Sequence, residues 1–433
     1  MSSTGLVWFR NDLRINDNNS LLKAVTDNEN VIAIFFFDPR HFELGTYGFK
    51  KTEKYRALFL LETIAVLKEN LKKLNISLFV YRQYPEDVIP QFLEGQNIKK
   101  IYLQKEWTYE ESKILNTVKK STQRYDLEWV ETYDQFLFHP EDIPFTTNSV
   151  PQVFTDFRKK CERYTSVRST TTVSPLSMNN KVKNETNIPS LSDLGFENFE
   201  IDSRTAFPFK GGEDQALDRV DEYFWKTQQL SRYKKTRNGL LGKEYSSKLS
   251  AWLANGSISP RIIYHEVKKY EKQITKNDST YWLIFELIWR DFFKYISLKH
   301  GNNIFKMGGI LCKDYQWKNN KESIDNWIHG KTLEPFVNAN MIELKNTGWM
   351  SNRGRQNVAS FFSKEQELDW RIGASYFESL LIDYDVHSNY GNWLYVSGVG
   401  NDPRDRKFNI KTQAERYDGK QNYQNQWLQT TLF

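Results

Sequence analysis

The stretch from Asn346 to Tyr395 concentrates the side chains best able to do chemistry: NTGWMSNRGRQ, then DWR, then LIDYDVHSNYGNWLY. Asn352, Arg353, Arg355, Asp383, Asp385 and Asn389 stand there as a buried-looking polar network among Trp349, Trp370 and Trp393. Charges are tolerated in an interior only when paired and hydrogen-bonded, so Arg and Asp threaded through large aromatics point to a ligand that needs both. A planar, redox-active cofactor has those needs. A second polar cluster lies upstream, between Tyr233 and Arg261. Ser246, Ser247 and Ser250 around Lys248 offer hydroxyls, backbone N–H groups and a positive charge, the donors a pyrophosphate takes at a helix start. The same serines also read as helix N-caps.

These residues need a scaffold, and the patterning of the chain describes one. Short apolar runs at Leu6–Phe9, Val31–Phe37, Ile76–Tyr81, Lys100–Gln104 and Leu127–Tyr133 alternate with helical spacing such as Thr52–Leu74 and Tyr109–Thr122. That alternation predicts an α/β domain over 1–135, a doubly wound parallel five-stranded sheet with a ligand site at the carboxyl ends of its strands. No GxGxxG follows any of these strands, so a standard dinucleotide-binding turn is not expected. Residues 136–206 read as a long inter-domain connector; from Ser166 to Phe199 they turn to Ser, Thr, Asn and Lys without apolar periodicity, which suits a surface path. From 207 to 433 the spacing is helical, with amphipathic stretches at Gln215–Tyr223, Pro260–Lys269 and Thr280–Leu298, and predicts an all-α domain.

Composition narrows the classes. A chain of 433 residues favours two domains over one core. Thirteen tryptophans are many unless they pack, stack or carry electrons. Basic residues exceed acidic ones by six, which is compatible with nucleic-acid binding and equally with a mildly basic surface. The only cysteines, Cys161 and Cys312, lack any metal-binding spacing, so neither a zinc site nor a disulfide framework is expected and a reducing cytoplasm is the natural compartment. Arg10, Asp12 and Arg14 interrupt the N-terminus before an apolar run can form, and no signal peptide, membrane span or metal is anticipated.

Several motifs in one order carry a resemblance over nearly the whole chain. WFRNDLRINDN at Trp8–Asn18, YSSKLSAWL at Tyr245–Leu253, ELIWRDFF at Glu286–Phe293 and the Asn346–Tyr395 block resemble the photolyase/cryptochrome family. VPQVFTDFRKKCE at Val150–Glu162, FPFKGGE at Phe207–Glu213, YKKTRNG, SNRGRQNV at Ser351–Val358 and GVGNDPRDRKFNI at Gly398–Ile410 are similar to its DASH branch. The resemblance implies FAD in the helical domain. Tyr233, Ser246, Ser247, Lys248, Leu249 and Ser250 would surround its phosphates and ribityl chain, and Asn352, Arg355, Asp383, Asp385 and Asn389 its two ring systems. Arg355 and Asp383 would pair beside the flavin, with the Asn389 amide at its N5 edge, where hydrogen bonding tunes the cofactor.

Trp393, Trp370 and Trp317 match the family's electron-relay positions, although buried tryptophans are more often packing residues. Glu286, Trp289, Asn352, Gln356 and Tyr395 match positions lining the substrate cavity. There a flipped pyrimidine dimer would stack on Trp289 while Glu286 bonds the base edge; the alternative for Glu286 is a helix-face salt bridge. Tyr395 stands where duplex-repairing bacterial relatives have tryptophan, and Gln356 where they have methionine. Weaker stacking and a more polar cavity offset less of the flipping cost, so the resemblance implies single-stranded DNA carrying cyclobutane pyrimidine dimers as substrate.

Glu106 matches an acidic contact of a 5,10-methenyltetrahydrofolate antenna, and otherwise reads as a solvated loop residue. Arg232, Lys234, Lys235, Arg237, Arg353, Arg404 and Arg406 could track a phosphate backbone or simply form a basic surface. The activity implied is blue-light-driven electron transfer from reduced FAD to the dimer by a monomer. The alternative is a non-enzymatic photoreceptor signalling through flavin photoreduction. The short polar tail after Asp418, GKQNYQNQWLQTTLF, favours repair, because signalling members commonly carry a long extension.

Overall fold

Burial on both faces explains the apolar strands. The computed structural model describes residues 4–94 and 97–429; Thr430–Phe433, the end of the polar tail, lie outside the described residues. Strands β1 (Thr4–Trp8), β2 (Asn30–Phe36), β3 (Leu78–Tyr81), β4 (Ile98–Gln104) and β5 (Glu128–Thr132) form one sheet in the order β3-β2-β1-β4-β5, every pair parallel. Alternate residues divide between two cores, as the two-residue period of a strand requires. Val7, Val31, Ala33 and Phe35 pack with helices α1 (Asn19–Asp27) and α2 (Lys54–Lys73). Leu6, Trp8, Ile32 and Ile34 pack with α3 (Pro85–Leu93) and α4 (Tyr109–Ser121) on the other face. The sheet is therefore doubly wound as the patterning predicts, and its order reverses between β1 and β4, where a crevice forms at the carboxyl ends.

The connector is more structured than its composition suggests. Within 136–206 lies the helix Phe154–Tyr164, and the irregular part beyond it is pinned onto the sheet domain. Asn180 is buried there: its Oδ1 accepts from Val31 N at 2.8 Å, and its Nδ2 donates to the Val31 and Asn75 carbonyls at 2.9 and 2.7 Å. Leu194 and Phe196 join the core beside α2.

The rest is helical, organised on the 23-residue helix Asp278–His300. Asn277 caps it by accepting from Ser279 N and Thr280 N at 2.8 and 3.1 Å, and Thr280 Oγ1 reciprocates by accepting from Asn277 N. It is buried nearly all round, which is why it lacks a clean polar face. The two parts are joined by buried charge: Arg261 donates to both oxygens of Asp17 at 2.8 and 3.0 Å and to Asp134 at 3.1 Å, each side chain no more than 2% exposed. Arg14 donates across the same seam to the Gly256 carbonyl at 2.8 Å. Gly256 has φ +74°, and a Cβ there would lie 2.0 Å from the Asn11 carbonyl oxygen, so only glycine lets the two backbones touch.

Candidate functional site

Two helix starts, at Asn352 and Val386, and the C-terminal end of the helix Trp370–Leu380 meet at a narrow cleft. Ser351 caps Asn352–Ser360 by accepting from Gly354 N at 2.9 Å, Asp369 caps Trp370–Leu380, and Asp385 caps Val386–Ser397 by accepting from Ser388 N at 2.7 Å. Asn352, Arg355, Gln356, Asp383, Asp385, Asn389 and Trp393 line the cleft. Arg355 Nη2 donates to both oxygens of Asp383 at 2.9 and 3.0 Å, and its Nε to the Met350 carbonyl at 2.9 Å. Ser250 Oγ donates to Asp383 Oδ2 at 2.7 Å, so one carboxylate ties the serine segment to the cleft. Asn389 is buried, and its Nδ2 donates to the Ala374 carbonyl at 3.0 Å. That bond fixes the amide and leaves Oδ1 and one N–H to face a ligand.

The donor set fits a flavin dinucleotide: a fixed amide, a paired guanidinium and carboxylate, and a loop of small residues bonded to the same carboxylate. Its details differ from the sequence reading in three respects. Lys248 does not present its amine as a phosphate clamp; it has φ +63°, is buried, and its Nζ lies 3.2 Å from the Tyr245 ring centre and 4.9 Å from that of Trp349 with no hydrogen-bond partner. Burial holds that amine well below its ordinary pKa, leaving the backbone N–H as the group Lys248 can offer. Nor do the serines cap the helix Ser250–Ala254: its N-cap position falls on Leu249, which has no side-chain acceptor, and Ser250 bonds Asp383. Asn352, finally, is exposed at the rim and not part of the buried network, and Arg353 donates to Gln356 Oε1 at 2.9 Å and Asn238 Oδ1 at 3.1 Å, orienting Gln356. Ser246, Ser247 and Leu249 lie in the same segment, the last two buried, and Tyr233 is buried beside Arg237 and Glu286.

Glu286 and Trp289 stand one turn apart on the central helix. Arg237 Nη1 donates to Glu286 Oε1 at 2.5 Å from the turn after the short helix Tyr233–Thr236, so the ion pair crosses between elements and does not run along one helix face. Burial raises the Glu286 carboxyl above its usual range, against the pull of Arg237. The rings of Trp289 and Tyr395 meet at 5.8 Å and 88°, a right-angled aromatic corner backed by Phe154, which stacks on Trp289 at 3.7 Å. Among the predicted backbone-tracking cations, Lys234 pairs with Asp278 and Arg406 with Asp402 and the Tyr395 hydroxyl.

Trp393 and Trp370 are buried, 2% and 0% exposed, while Trp317 is half-buried. Trp370 Nε1 donates to the Met307 carbonyl at 3.0 Å, and Met307 and Trp317 line a common surface groove. Gly373, on the helix of Trp370, lets the Trp393 ring press on that helix: a Cβ there would lie 2.3 Å from Trp393 Cη2. Gly373→Ala is therefore expected to push the indole aside, destabilise the fold by about 1–3 kcal/mol and slow flavin photoreduction. Thermal unfolding and photoreduction of the same preparation check this; an unchanged photoreduction rate would separate Trp393 placement from the relay.

An inter-domain cavity of about 540 Å³ opens at the sheet's switch point between β1, β4 and the helical part. Asn11, Gln104 and Glu106 line it from the sheet side, and Arg290, Lys294, Glu378, Tyr384, Asp385 and Tyr390 from the helices. Glu106 is not a solvated loop residue: it is 7% exposed, accepts from Gln104 Nε2 at 2.7 Å and from Asn11 Nδ2 at 3.4 Å, and burial raises its carboxyl. Lys294 Nζ donates to Asp385 Oδ2 at 2.9 Å. Burial opposes the Asp385 charge, but Lys294, His387 and Arg290 prevail and hold the carboxyl well below its usual range. Sequence reasoning missed every helical wall residue except Asp385. The available signal was Arg290 and Lys294, four apart and so on one face of a largely apolar helix.

Residues 282–431 match the family described as the FAD binding domain of DNA photolyase, and residues 5–176 the family described as DNA photolyase. The cryptochrome DASH of Gloeobacter violaceus is 45% identical over 433 residues, covering 99% of this chain and 86% of that protein. That of Xenopus laevis is 45% identical, covering 97% and 81%. Among solved structures, a Synechocystis cryptochrome superposes with a TM-score of 0.93 at 44% identity, over 98% of this chain and 88% of that one. An archaeal photolyase from Sulfolobus tokodaii, crystallised with two FAD molecules, gives 0.78 at 25% identity over 98% and 90%. Among the described residues no helix is long and apolar enough to cross a membrane, and no cluster of metal-ligating side chains occurs.

Proposed function

Because the chain belongs to the photolyase/cryptochrome family, among the DASH cryptochromes, we propose that it is a light-driven flavoenzyme that splits cyclobutane pyrimidine dimers in single-stranded DNA. Asp383, Arg355, Asn389, Ser250 and the backbone of Ser246–Leu249 would hold FAD, which would supply the photoexcited electron. The observation that carries the reading is the Trp289–Tyr395 corner, whose ring planes stand at 88°. Two bases joined by a cyclobutane ring are inclined to each other, and a right-angled pair of aromatic walls can receive one on each. Glu286, held by Arg237, presents a carboxyl that can hydrogen-bond the base edge. Gln356, held by Arg353, and Asn352 at the rim supply polar contacts. Tyr395 offers less stacking area than tryptophan, so unpairing a duplex is poorly offset and single strands are preferred.

Glu106 and the cleft around it suit a second, light-harvesting chromophore, for which we propose 5,10-methenyltetrahydrofolate; a near-ultraviolet band released on denaturation identifies it, and a second flavin would replace that assignment. Trp370 and Trp393, buried beside the cleft, also support a photoreceptor reading in which flavin photoreduction is the output.

The test is illumination of reduced holoprotein with thymine-dimer oligonucleotides, single- and double-stranded. Repair of the single strand is expected to exceed that of the duplex, and no repair of either refutes the enzyme reading. Glu286→Gln is expected to lower the repair yield roughly tenfold, the worth of one charged hydrogen bond, with the flavin still bound. An undiminished yield would remove Glu286 from the reaction.

A further inference from the structure

Tyr390 lies three residues before Trp393 on the helix Val386–Ser397 and lines the 540 Å³ cleft. Its ring stands 6.1 Å from that of Trp370 at 81°, and it is the one aromatic ring in contact with Trp370 among the described residues. Its hydroxyl points to Glu378 Oε2 at 3.4 Å, on the helix that carries Trp370. Glu378 in turn faces the cleft with Arg56 and Tyr384. An oxidisable phenol in contact with an oxidisable indole, with a carboxylate at its hydroxyl, has the parts of a proton-coupled electron donor.

We propose that Tyr390 is a branch of the electron relay, reducing oxidised Trp370 from the side of the inter-domain cleft, with Glu378 as its proton acceptor. The proposal rests on the relay reading of Trp393 and Trp370. Oxidation passing outward through Trp393 would leave Trp370 as a radical cation. One electron passes from the Tyr390 ring to Trp370, and the phenolic O–H bond breaks with its proton moving to Glu378 Oε2. The products are neutral Trp370, a neutral tyrosyl radical and a protonated Glu378. The charge is balanced, since one cation and one anion become neutral. Burial lifts the Glu378 carboxyl to about 7, so near neutral pH a usable fraction is ionised and basic enough to take the proton. Return of the electron then requires return of the proton from Glu378, which slows recombination.

Transient absorption of the FAD-loaded full chain tests this. A tryptophan radical band should form on excitation and give way to a tyrosyl band. Tyr390→Phe should abolish the tyrosyl band and prolong the tryptophan one, while Tyr315→Phe, whose ring packs on Trp317, should retain both. Glu378→Gln should slow tyrosyl formation and reduce its sensitivity to deuterated solvent. In unmutated protein carrying ring-deuterated tyrosine, the electron paramagnetic resonance signal should narrow, which needs no variant to fold. A tyrosyl band that survives Tyr390→Phe, or a wild type with tryptophan signals alone, overturns the branch and leaves the relay standing. A wild type without any tryptophan radical overturns the relay and the branch together.

Discussion

Asp383→Ala is expected to purify nearly colourless, with FAD affinity reduced by roughly a hundredfold. Asp383 is 8% exposed and accepts two bonds from Arg355 and one from Ser250, so it joins the helix Asn352–Ser360 to the serine segment. Losing two hydrogen bonds to a charged group, at about 1.5 kcal/mol each, loosens both segments that line the cleft, and about 3 kcal/mol is roughly two decades in Kd. Asp383→Asn should fall between, since an amide accepts from Ser250 but does not balance the guanidinium. Flavin absorbance per mole of purified protein, and titration of apoprotein with FAD, measure the effect. Normal flavin content in the alanine variant would place the cofactor elsewhere.

Arg261→Met is expected to lower unfolding stability by about 3–5 kcal/mol, because Asp17 and Asp134 both lose their counter-charge with no exposed surface to compensate. Chemical denaturation read by two probes, tryptophan fluorescence and far-ultraviolet dichroism, measures it. The seam lies between the sheet and the helices, so the two probes should separate in the variant, with the sheet part unfolding apart from the rest. A coincident transition with unchanged midpoint would mean that the seam is held by apolar packing.

The sequence displayed some of this and concealed the rest for physical reasons. Strand positions were readable because two-sided burial makes β1, β2 and the Ile101–Leu103 part of β4 apolar, and the five strands appear at the predicted runs. The pairing of Arg355 with Asp383 was legible only through the family likeness, since no periodicity links residues on two helices. The Arg261–Asp17 contact joins residues 244 apart and leaves no local trace. Lys248 looked like a cation for phosphate because composition does not reveal a left-handed φ, which turns its amine between Tyr245 and Trp349. Glu106 was readable as a residue type after a strand, but its burial depends on Asn11 and on helices far along the chain.

Tyr384 and Asp385 line both cavities, so the wall between them is one residue thick. Asp385 joins the two sides mechanically: one oxygen holds Lys294 and the other caps the helix that carries Asn389. A guest in the inter-domain cavity that competes for Lys294 would free one Asp385 oxygen and change the charge at the helix start that carries Asn389. Thermodynamic linkage then requires the effect to run both ways, with each guest altering the other's affinity by the same factor. Titrating one chromophore in the presence and absence of the other would read that factor, a communication between two binding events through a single carboxylate.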